Sequence, residues 1–339
     1  MSDFVPFRRL CLIGIGLIAS SIAHAARENG LAETIVCATP DPAHRKTALE
    51  LSLVEEAFAS NAEAVRGADL VILCTPPGAM GGIAHEIAGE LAEGTIVSDV
   101  GSVKEKIVEA VGPVLPAHAR FVPAHPIAGT ENSGPAAGFA SLFRNRWTII
   151  TPNGHADADS VARVRSFWEG MGALVEEMDA KHHDQVLAIT SHIPHLIAYN
   201  IVGTADDLEA VTKSEVIKFS AAGFRDFTRI AASDPTMWRD VFLNNREAVL
   251  EMLGRFSEDL TALQRAIRWG DGETLFNLFT RTREIRRAII DAGQETDAPN
   301  FGQRRAAGGK IGPFRIRRQR IAGLTERAQT FAASSVPFV

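Results

Sequence analysis

Residues 10–20 read LCLIGIGLIAS, an apolar run that passes directly into a loop with glycines at positions 14 and 16. The run has the composition of a buried β-strand, and the segment after the loop has that of a helix. Gly14 permits a tight turn, and Gly16 lets a pyrophosphate approach the backbone at the helix N-terminus. Ala19 takes the third position of the GxGxxG/A pattern. The stretch predicts a dinucleotide-binding loop whose contacts come from Gly14, Ile15, Gly16, Leu17 and Ile18.

Strand-like and helix-like segments alternate through the first half of the chain, which is typical of a parallel sheet covered by helices. The predicted strands are Leu10–Ile13, Thr34–Ala38, Leu70–Cys74, Thr95–Asp99, Phe121–Pro123 and Trp147–Thr151. The predicted helices are Ala19–Asn29, Ala43–Glu50, Asn61–Arg66, Met80–Leu91 and Lys104–Val114. We therefore expect an α/β Rossmann-type, doubly wound parallel sheet that forms a dinucleotide-binding domain over residues 1–152.

Long helices replace the strands after Pro152. They are predicted at Ala158–Met171, His182–Val202, Met237–Ile267 and Thr274–Ala292. We expect an all-α substrate and dimerisation domain over residues 153–295. Its apolar faces exceed what one small domain covers, which predicts a homodimer. Residues 296–339 have no sustained period and carry eight Lys or Arg against one acidic residue after Phe301, which predicts a basic, mobile tail.

The composition is that of an ordinary globular protein, with 339 residues, 46% of them hydrophobic and 22% charged. The net charge of −6 gives no electrostatic basis for binding nucleic acid. Cys11, Cys37 and Cys74 are too few and too scattered for a disulfide framework or a metal site. We expect them to be core residues of a protein in a reducing cytoplasm.

The N-terminus also has features of a secretory signal. Arg8 and Arg9 precede the apolar run Leu10–Ile22, and an AHA triplet follows at Ala23–Ala25. Cleavage there would remove the first strand of a unit whose later parts all follow, so we predict a retained, cytoplasmic N-terminus. No apolar run approaches the roughly 20 residues of a membrane span, and no membrane association is expected.

The residues after the second predicted strand bear on which dinucleotide is bound. A carboxylate at this point accepts the adenosine ribose hydroxyls of NAD. The strand continues as IVCATPDP, which puts Thr39 at that position and Asp41 two residues later. Asp41 could reach the ribose from a shifted loop, whereas Arg45 is near enough to meet the 2′-phosphate of NADP. The sequence permits both cofactors and favours NAD slightly; Thr75 and Ser102 complete the predicted contacts.

His125 begins the segment HPIAGTENSGPAAGF, just beyond a predicted strand end. A histidine titrates near neutral pH, so it can take a proton from a substrate hydroxyl while hydride leaves the same carbon. The alternative is a tight loop around a buried histidine. Ser102, in DVGSVKEK, follows another strand at the carboxyl edge of the sheet. It is expected to cap the next helix, to face the same crevice as His125, or to do both.

Two histidine clusters lie in the helical half. SHIPH, Ser191–His195, places His192 and His195 on a helix interrupted by Pro194. No third ligand has a sensible spacing, so we predict no metal, and a core, capping or substrate-contact role is expected. The earlier segment HHD, at 182–184, is interpreted as a solvated helix start.

Three arginines follow in GFRDFTRIAASDPTMWRD, Gly223–Asp240. Arginine recognises carboxylates through two parallel hydrogen bonds. Arg225, Arg229 and Arg239 are therefore candidates for binding an acidic substrate, and a surface salt bridge is the alternative for each of them.

Together these motifs resemble the prephenate/arogenate dehydrogenase family, and most closely its bacterial cyclohexadienyl dehydrogenases. The resemblance runs from about Phe7 to Gly293 and rests on GIGLIAS, DVGSVK, HPIAGTENSGP, SHIPH and FRDFTRIAASDP, in that order. It implies a nucleotide-binding domain joined to a helical dimerisation domain. It also implies an NAD(P)-dependent oxidative decarboxylation of prephenate or arogenate in tyrosine biosynthesis, without a metal.

The resemblance further implies residue roles. His125 acts as the base on the 4-hydroxyl of the substrate ring, and Ser102 helps to orient that histidine and the cofactor. Arg229 binds a substrate carboxylate. His195, in preference to His192, helps to position the substrate.

Two other functions fit parts of the pattern. A β-hydroxyacid dehydrogenase or related reductase shares both halves, but would be expected to use a lysine as base where this helical half offers histidines. A non-catalytic module that senses dinucleotides would not need Ser102, His125 and Arg229 together.

Overall fold

The structure, a computed structural model, describes residues 5–212, 221–291, 303–305 and 311–313. The chain divides into two compact units, Met1–Leu275 and Phe276–Val339. Most of the predicted basic tail lies outside the described residues. Its described part is an antiparallel pair of short strands, β9 (Gln303–Arg305) and β10 (Ile311–Pro313).

The first unit contains an eight-stranded sheet of order β3-β2-β1-β4-β5-β6-β7-β8. Neighbouring strands are parallel except that β7 runs antiparallel to β6. The fold class expected from the sequence is thereby confirmed. The strands are β1 (Phe7–Ile13), β2 (Ala32–Ala38), β3 (Glu56–Phe58), β4 (Leu70–Leu73), β5 (Ile96–Asp99), β6 (Arg120–Pro126), β7 (Trp147–Ile150) and β8 (Leu174–Glu177).

The register of the sheet brings several strand ends into one row. Ile13 pairs with Ala38 on one side and with Leu73 on the other. Leu73 pairs with Asp99, which in turn pairs with Pro123. The first three of these strands end at or next to this row, and β5 ends in it at Asp99, whereas β6 continues to Pro126 and so carries His125 just beyond the carboxyl edge of β5, where ligands of such folds bind.

Helices cover both faces of the sheet and bury two apolar layers. Phe143, Phe167 and Trp168 are fully buried in one layer, where the Phe143 and Trp168 rings meet edge to face at 5.2 Å. The helices of this half are α1 (Leu17–Glu28), α2 (Pro42–Glu50), α3 (Asn61–Ala64), α4 (Pro77–Ile87), α5 (Glu105–Val111) and α6 (Ala158–Gly170).

The sheet continues beyond residue 152. Helix α6 packs Val164, Phe167 and Trp168 into the core on one face of the sheet, and β8 then pairs with β7. The predicted domain boundary at residue 152 thus falls inside the sheet-bearing region. Strand β8 was not predicted, because its four residues, LVEE, combine two apolar with two exposed acidic side chains.

The predicted helix His182–Val202 consists of three segments. They are α7 (Ala180–Leu187), one π-helical turn (Ala188–His192) and α8 (Ile193–Thr212). The π turn ends two residues before Pro194, whose ring and missing N–H are incompatible with an uninterrupted ladder of α-helical hydrogen bonds. The other helices are α9 (Ala222–Thr228), α10 (Pro235–Asn244), α11 (Arg246–Trp269) and α12 (Gly272–Asp291).

The helical run Ala180–Leu208 is long and apolar enough to cross a membrane by length and composition. This corrects the expectation that no apolar run approaches a membrane span. Such a run is weak evidence for a membrane protein, since core helices pass the same test. Here Ala188 and Ile193 pack with Val249 in a small apolar core.

Candidate active site

The loop between β1 and α1 has a backbone that only glycine accommodates at its first position. Gly14 has φ of +90°, and a Cβ there would lie 2.7 Å from the Cys74 carbonyl oxygen. Its N–H donates to the Ala38 carbonyl at 2.8 Å. The loop is therefore held between the ends of β2 and β4, and its main chain cannot move aside to admit a side chain.

The N-terminus of α1 suits an anionic group. Gly16 is the N-cap residue, no side chain caps the helix, and a Cβ at Gly16 would meet nothing within 4 Å. Thr75 lies against Gly14, and its hydroxyl is buried without a hydrogen-bond partner in the described structure. Free helix N–H groups beside an open glycine surface fit the pyrophosphate of a dinucleotide. The cradle includes Ile15, Leu17 and Ile18, of which Ile18 is partly exposed.

The end of β2 holds the groups that face an adenosine ribose in this fold. Thr39 is buried, and Asp41 is the N-cap of α2, where its carboxylate accepts from the Ala43 N–H at 2.8 Å. Arg45 folds back, and its Nη1 donates to the carbonyls of Thr39 at 2.6 Å and Pro40 at 2.9 Å. Both charged candidates thus already have local partners.

His125 is the penultimate residue of β6, and its imidazole is the end of a buried polar chain. Its Nδ1 lies 2.8 Å from Nε2 of His183, and Nδ1 of His183 lies 2.8 Å from Oδ1 of Asp184. The three residues are 8%, 0% and 3% exposed. Burial, together with His183 and Lys104, lowers the pKa of His125 well below its ordinary value of 6.5. His125 is therefore neutral at pH 7, as a base must be.

Asp184 also fixes the start of α5. Its two carboxylate oxygens accept from the backbone N–H groups of Lys104 at 2.8 Å and Glu105 at 2.9 Å. The helix begins at Glu105, and among the described residues this carboxylate, rather than a side chain of the GSVK segment, caps it. The expectation that Ser102 is the N-cap is thus wrong, because the helix starts three residues later and its cap comes from α7.

Lys104 and Asp99 form an ion pair that is completely buried beneath the site. Lys104 Nζ also donates to the Ala124 carbonyl at 2.7 Å, immediately before His125, and Asp99 accepts from the Gly101 N–H at 2.8 Å. Burial raises the pKa of Asp99 and lowers that of Lys104, and the attraction between the two charges opposes both shifts. This pair anchors the end of β6 to the segment that carries Ser102.

Ser102 is partly exposed at the carboxyl edge of the sheet. Within the described residues, the ring of His125 is hydrogen-bonded to His183 and not to the Ser102 hydroxyl. The role of Ser102 in orienting His125 and the cofactor therefore stays a prediction.

The segment after His125 returns to the cofactor loop. The Phe139 N–H donates to the Ser21 hydroxyl at 3.1 Å. Gly138 approaches α1 so closely that a Cβ on it would lie 2.7 Å from the Ser21 backbone nitrogen. The segment that follows the His125 strand and the helix that follows Gly16 are thereby joined by direct contact.

The two histidines of SHIPH occupy different surroundings. His192 is fully buried, its Nδ1 accepts from Asn245 Nδ2 at 3.1 Å, and burial lowers its pKa to about 4. His195 is partly exposed and stacks on Trp238 with ring centroids 3.6 Å apart. Its Nδ1 donates to the Ser191 carbonyl at 2.9 Å, which leaves Nε2 as an acceptor. His195 therefore suits contact with a ligand, and His192 suits a structural role.

Arg229 links the helical half to the His125 segment. It begins a short 3₁₀ turn after α9, and its Nη1 donates to the Glu131 carboxylate at 2.9 Å. Its positive charge also lowers the pKa of His195, an effect that adds to that of burial. The Arg229 side chain is 58% exposed, so its remaining donors face solvent and are open to an anionic ligand.

His183 and Asp184 are the principal site residues that the sequence interpretation missed. The prediction of a solvated helix start at 182–184 is correct for exposed His182 and wrong for its two buried neighbours. Helical periodicity is the sequence signal that could have identified them as buried. Residues 183, 184, 187 and 188 lie on one buried face of the helix, whereas residues 181, 182 and 185 are exposed. Among the described residues, no group of three or more ligating side chains is placed to hold a metal ion.

Comparison with known proteins agrees with this arrangement. A model of the prephenate dehydrogenase nucleotide-binding domain matches residues 22–177, and one of the prephenate dehydrogenase dimerization domain matches residues 179–281. A cyclohexadienyl dehydrogenase of Zymomonas mobilis is 40% identical over 84% of this chain and 96% of its own length. The chain belongs to the prephenate dehydrogenase family.

Solved structures of prephenate dehydrogenase family members share the fold. Aquifex aeolicus prephenate dehydrogenase, in complex with hydroxyphenyl propionate and NAD⁺, is 32% identical with a TM-score of 0.78, over 84% of this chain and 99% of that one. Synechocystis arogenate dehydrogenase is 25% identical with a TM-score of 0.68, over 83% and 99%. The first resemblance agrees with the dinucleotide-binding cradle described above.

Proposed function

We propose that this protein catalyses the oxidative decarboxylation of prephenate to 4-hydroxyphenylpyruvate in tyrosine biosynthesis, with NAD(P)⁺ as the co-substrate. The observation that carries this proposal is the neutral, buried His125 at the carboxyl edge of the sheet, in a chain of the prephenate dehydrogenase family. The dinucleotide, held by Gly14–Ile18, would supply the hydride acceptor.

His125 acts as the general base of the reaction. It takes the proton of the 4-hydroxyl as C4 loses hydride, so that the carbon–oxygen bond becomes a carbonyl. The C1–carboxylate bond then breaks, CO₂ leaves, and its electron pair makes the ring aromatic. The ring oxygen takes back a proton, which His125 holds at that moment. The overall reaction releases no net proton, in keeping with a base that is shielded from solvent.

Arg229 and His195 bind the substrate in this proposal. Arg229 has exposed guanidinium donors for a substrate carboxylate, and Glu131 holds the side chain toward the His125 segment. His195 is fixed by Trp238 and has its Nε2 free for a substrate polar group. Both residues act chiefly by orienting the substrate toward His125 and the dinucleotide. Orientation is the main requirement here, because the formation of the aromatic ring already makes the reaction strongly favourable.

NAD is the cofactor that we favour, in keeping with the NAD⁺ bound to the Aquifex aeolicus relative. Arg45 donates hydrogen bonds from Nη1 to two backbone carbonyls, and this amino group is therefore not directed at a 2′-phosphate. Replacing Arg45 with Ala should therefore leave the ratio of kcat/KM for NAD over NADP within about threefold of its original value. A loss of NADP turnover alone would instead assign the 2′-phosphate to Arg45.

Arogenate, which would yield tyrosine directly, is a second candidate substrate. It differs from prephenate only in an amino group at the side-chain keto position, and the site residues proposed above contact the ring and its carboxylates. The resemblance to Synechocystis arogenate dehydrogenase motivates testing both compounds.

We further propose a homodimer built from the helical half, in agreement with the dimerization-domain match. Helix α11 exposes Leu250, Leu260, Ile267 and Trp269, more apolar surface than a solvated helix face carries. Size-exclusion chromatography with light scattering tests this directly. A reducing cytoplasm is the proposed location, because the three cysteines are free.

The test of the function is absorbance at 340 nm with prephenate or arogenate and either dinucleotide. His125→Asn should bind dinucleotide normally and lose about 10²–10⁴-fold in kcat. His118→Asn is the control for the same substitution away from the site, because His118 is an exposed histidine whose Nε2 lies 3.0 Å from the Leu91 carbonyl. Turnover of neither substrate by the original protein, or normal turnover by His125→Asn, would overturn the proposal.

A further inference from the structure

A chain of three buried side chains joins His125 to the start of helix α5. Asp184 accepts the α5 N–H groups with its carboxylate and lies 2.8 Å from Nδ1 of His183. His183 in turn lies 2.8 Å from Nδ1 of His125 through its Nε2. None of the three is more than 8% exposed, so water does not compete for these hydrogen bonds.

The order of donors along this chain follows from chemistry. An ionised carboxylate only accepts, so the proton between His183 and Asp184 belongs to Nδ1 of His183. Burial lowers the pKa of His183, although its hydrogen bond to Asp184 opposes that shift, and a neutral ring carries one proton. Nε2 of His183 is therefore an acceptor, and the proton shared with His125 belongs to Nδ1 of His125. Because His125 is also neutral, its Nε2 bears the free lone pair.

We propose that His183 and Asp184 are positioning residues that hold His125 in the tautomer whose Nε2 takes the substrate proton. The inference rests on the proposed function, and it adds two residues to which no role in the reaction had been assigned. When Nε2 of His125 becomes protonated, the same chain places a carboxylate behind the new positive charge. A carboxylate that acts through a histidine in this way fixes a tautomer and stabilises the imidazolium without itself taking the proton.

Asp184 is suited to this role because its own position is fixed. Its two oxygens are tied to the α5 backbone, and its carbonyl accepts from Asn245 Nδ2 at 2.8 Å. The orientation of His125 is thus set by elements of the protein frame rather than by the loop that follows it.

The direct test is the tautomer of His125 in full-length protein labelled with ¹⁵N-histidine. Long-range ¹H–¹⁵N spectra at neutral pH distinguish the two neutral tautomers, and the signals of His125 are those missing from His125→Asn. We expect a proton on Nδ1 and a bare Nε2. A proton on Nε2 would overturn the inference. This readout needs no substrate, so it stands apart from the outcome of the turnover assay.

Variants at position 183 supply the kinetic test. His183→Leu removes the acceptor and should lower kcat by roughly 10–100-fold, leave KM for both substrates nearly unchanged, and make the His125 tautomer mixed. His183→Gln offers an amide oxygen to the same N–H and should recover part of that loss. His182→Leu, at the exposed neighbour, is the matched control. Unchanged kcat in His183→Leu would refute the role of His183; if that variant does not fold, the wild-type spectrum and His183→Gln decide.

Discussion

Replacing Lys104 with Met should destabilise the protein because it leaves Asp99 buried without its partner. Both side chains are completely buried, and breaking such a pair costs about 3–5 kcal/mol of the free energy of unfolding. The Ala124 carbonyl also loses the Lys104 donor, at about 1 kcal/mol. We expect a total loss of about 4–6 kcal/mol, measured by urea unfolding with circular dichroism at one protein concentration.

The double variant Asp99→Asn/Lys104→Met separates the charge from the packing. Asn keeps an oxygen for the Gly101 N–H and carries no charge, so the double variant should recover at least about 2 kcal/mol of the loss. The single Lys104→Met variant should also approach the wild type in stability as pH falls from 7 toward 4. Without Lys104 the pKa of Asp99 in the folded protein lies further above its value in the unfolded chain. As the pH falls, the folded state therefore takes up the proton before the unfolded state does, and the free energy of unfolding of the variant rises. A single-variant loss below about 1 kcal/mol, or a double variant no more stable than the single, would refute this reasoning.

Three further predictions concern the site. Gly14→Ala should weaken dinucleotide binding at least about tenfold in a fluorescence titration, because the added Cβ would lie 2.7 Å from the Cys74 carbonyl oxygen. Unchanged affinity would show that this loop does not bind the dinucleotide. The lowered pKa of His125 should keep kcat/KM level from pH 8 to about 6.5 and let it fall only below that; loss of activity centred above 7 would assign the base elsewhere. Arg229→Ala should raise KM for prephenate about 10–100-fold with little change in kcat, whereas exposed Arg225→Ala should not.

The sequence was sufficient for the parts of the fold with strong periodicity. Strand β4 and the Leu10–Ile13 part of β1 are uninterrupted apolar runs buried on both faces, and the sequence predicts each strand to within a few residues. The three-residue β3 was missed because EAF, at Glu56–Phe58, is too short to show alternation. Predicted Met237–Ile267 is broken at Asn245, whose side chain binds Asp184 and His192, partners that no local pattern shows.

The residues of the candidate site also divide into those that a local motif predicts and those that depend on distant contacts. Gly14 and Gly16 follow from a local motif, because one turn of backbone determines both positions. His183 was not predicted to be functional, since its partner His125 is 58 residues away in the sequence. The sequence offers Ser102 as one candidate for the cap of α5 for a similar reason, because the carboxylate that caps this helix lies on another helix, 80 residues further along. Contacts between distant segments decide these roles, and a single sequence does not report them.

The contact between Gly138 and helix α1 has a consequence for how this enzyme can change over time. The segment that follows His125 reaches helix α1 at Gly138, where main chain meets main chain and a Cβ would lie 2.7 Å from the Ser21 backbone nitrogen. Any larger residue at position 138 would have to push this segment away from α1 or displace the start of the helix. A smaller side chain at position 20 would relieve only part of this clash, because the Ser21 nitrogen belongs to the backbone, and we therefore expect position 138 to stay glycine when the rest of the segment varies.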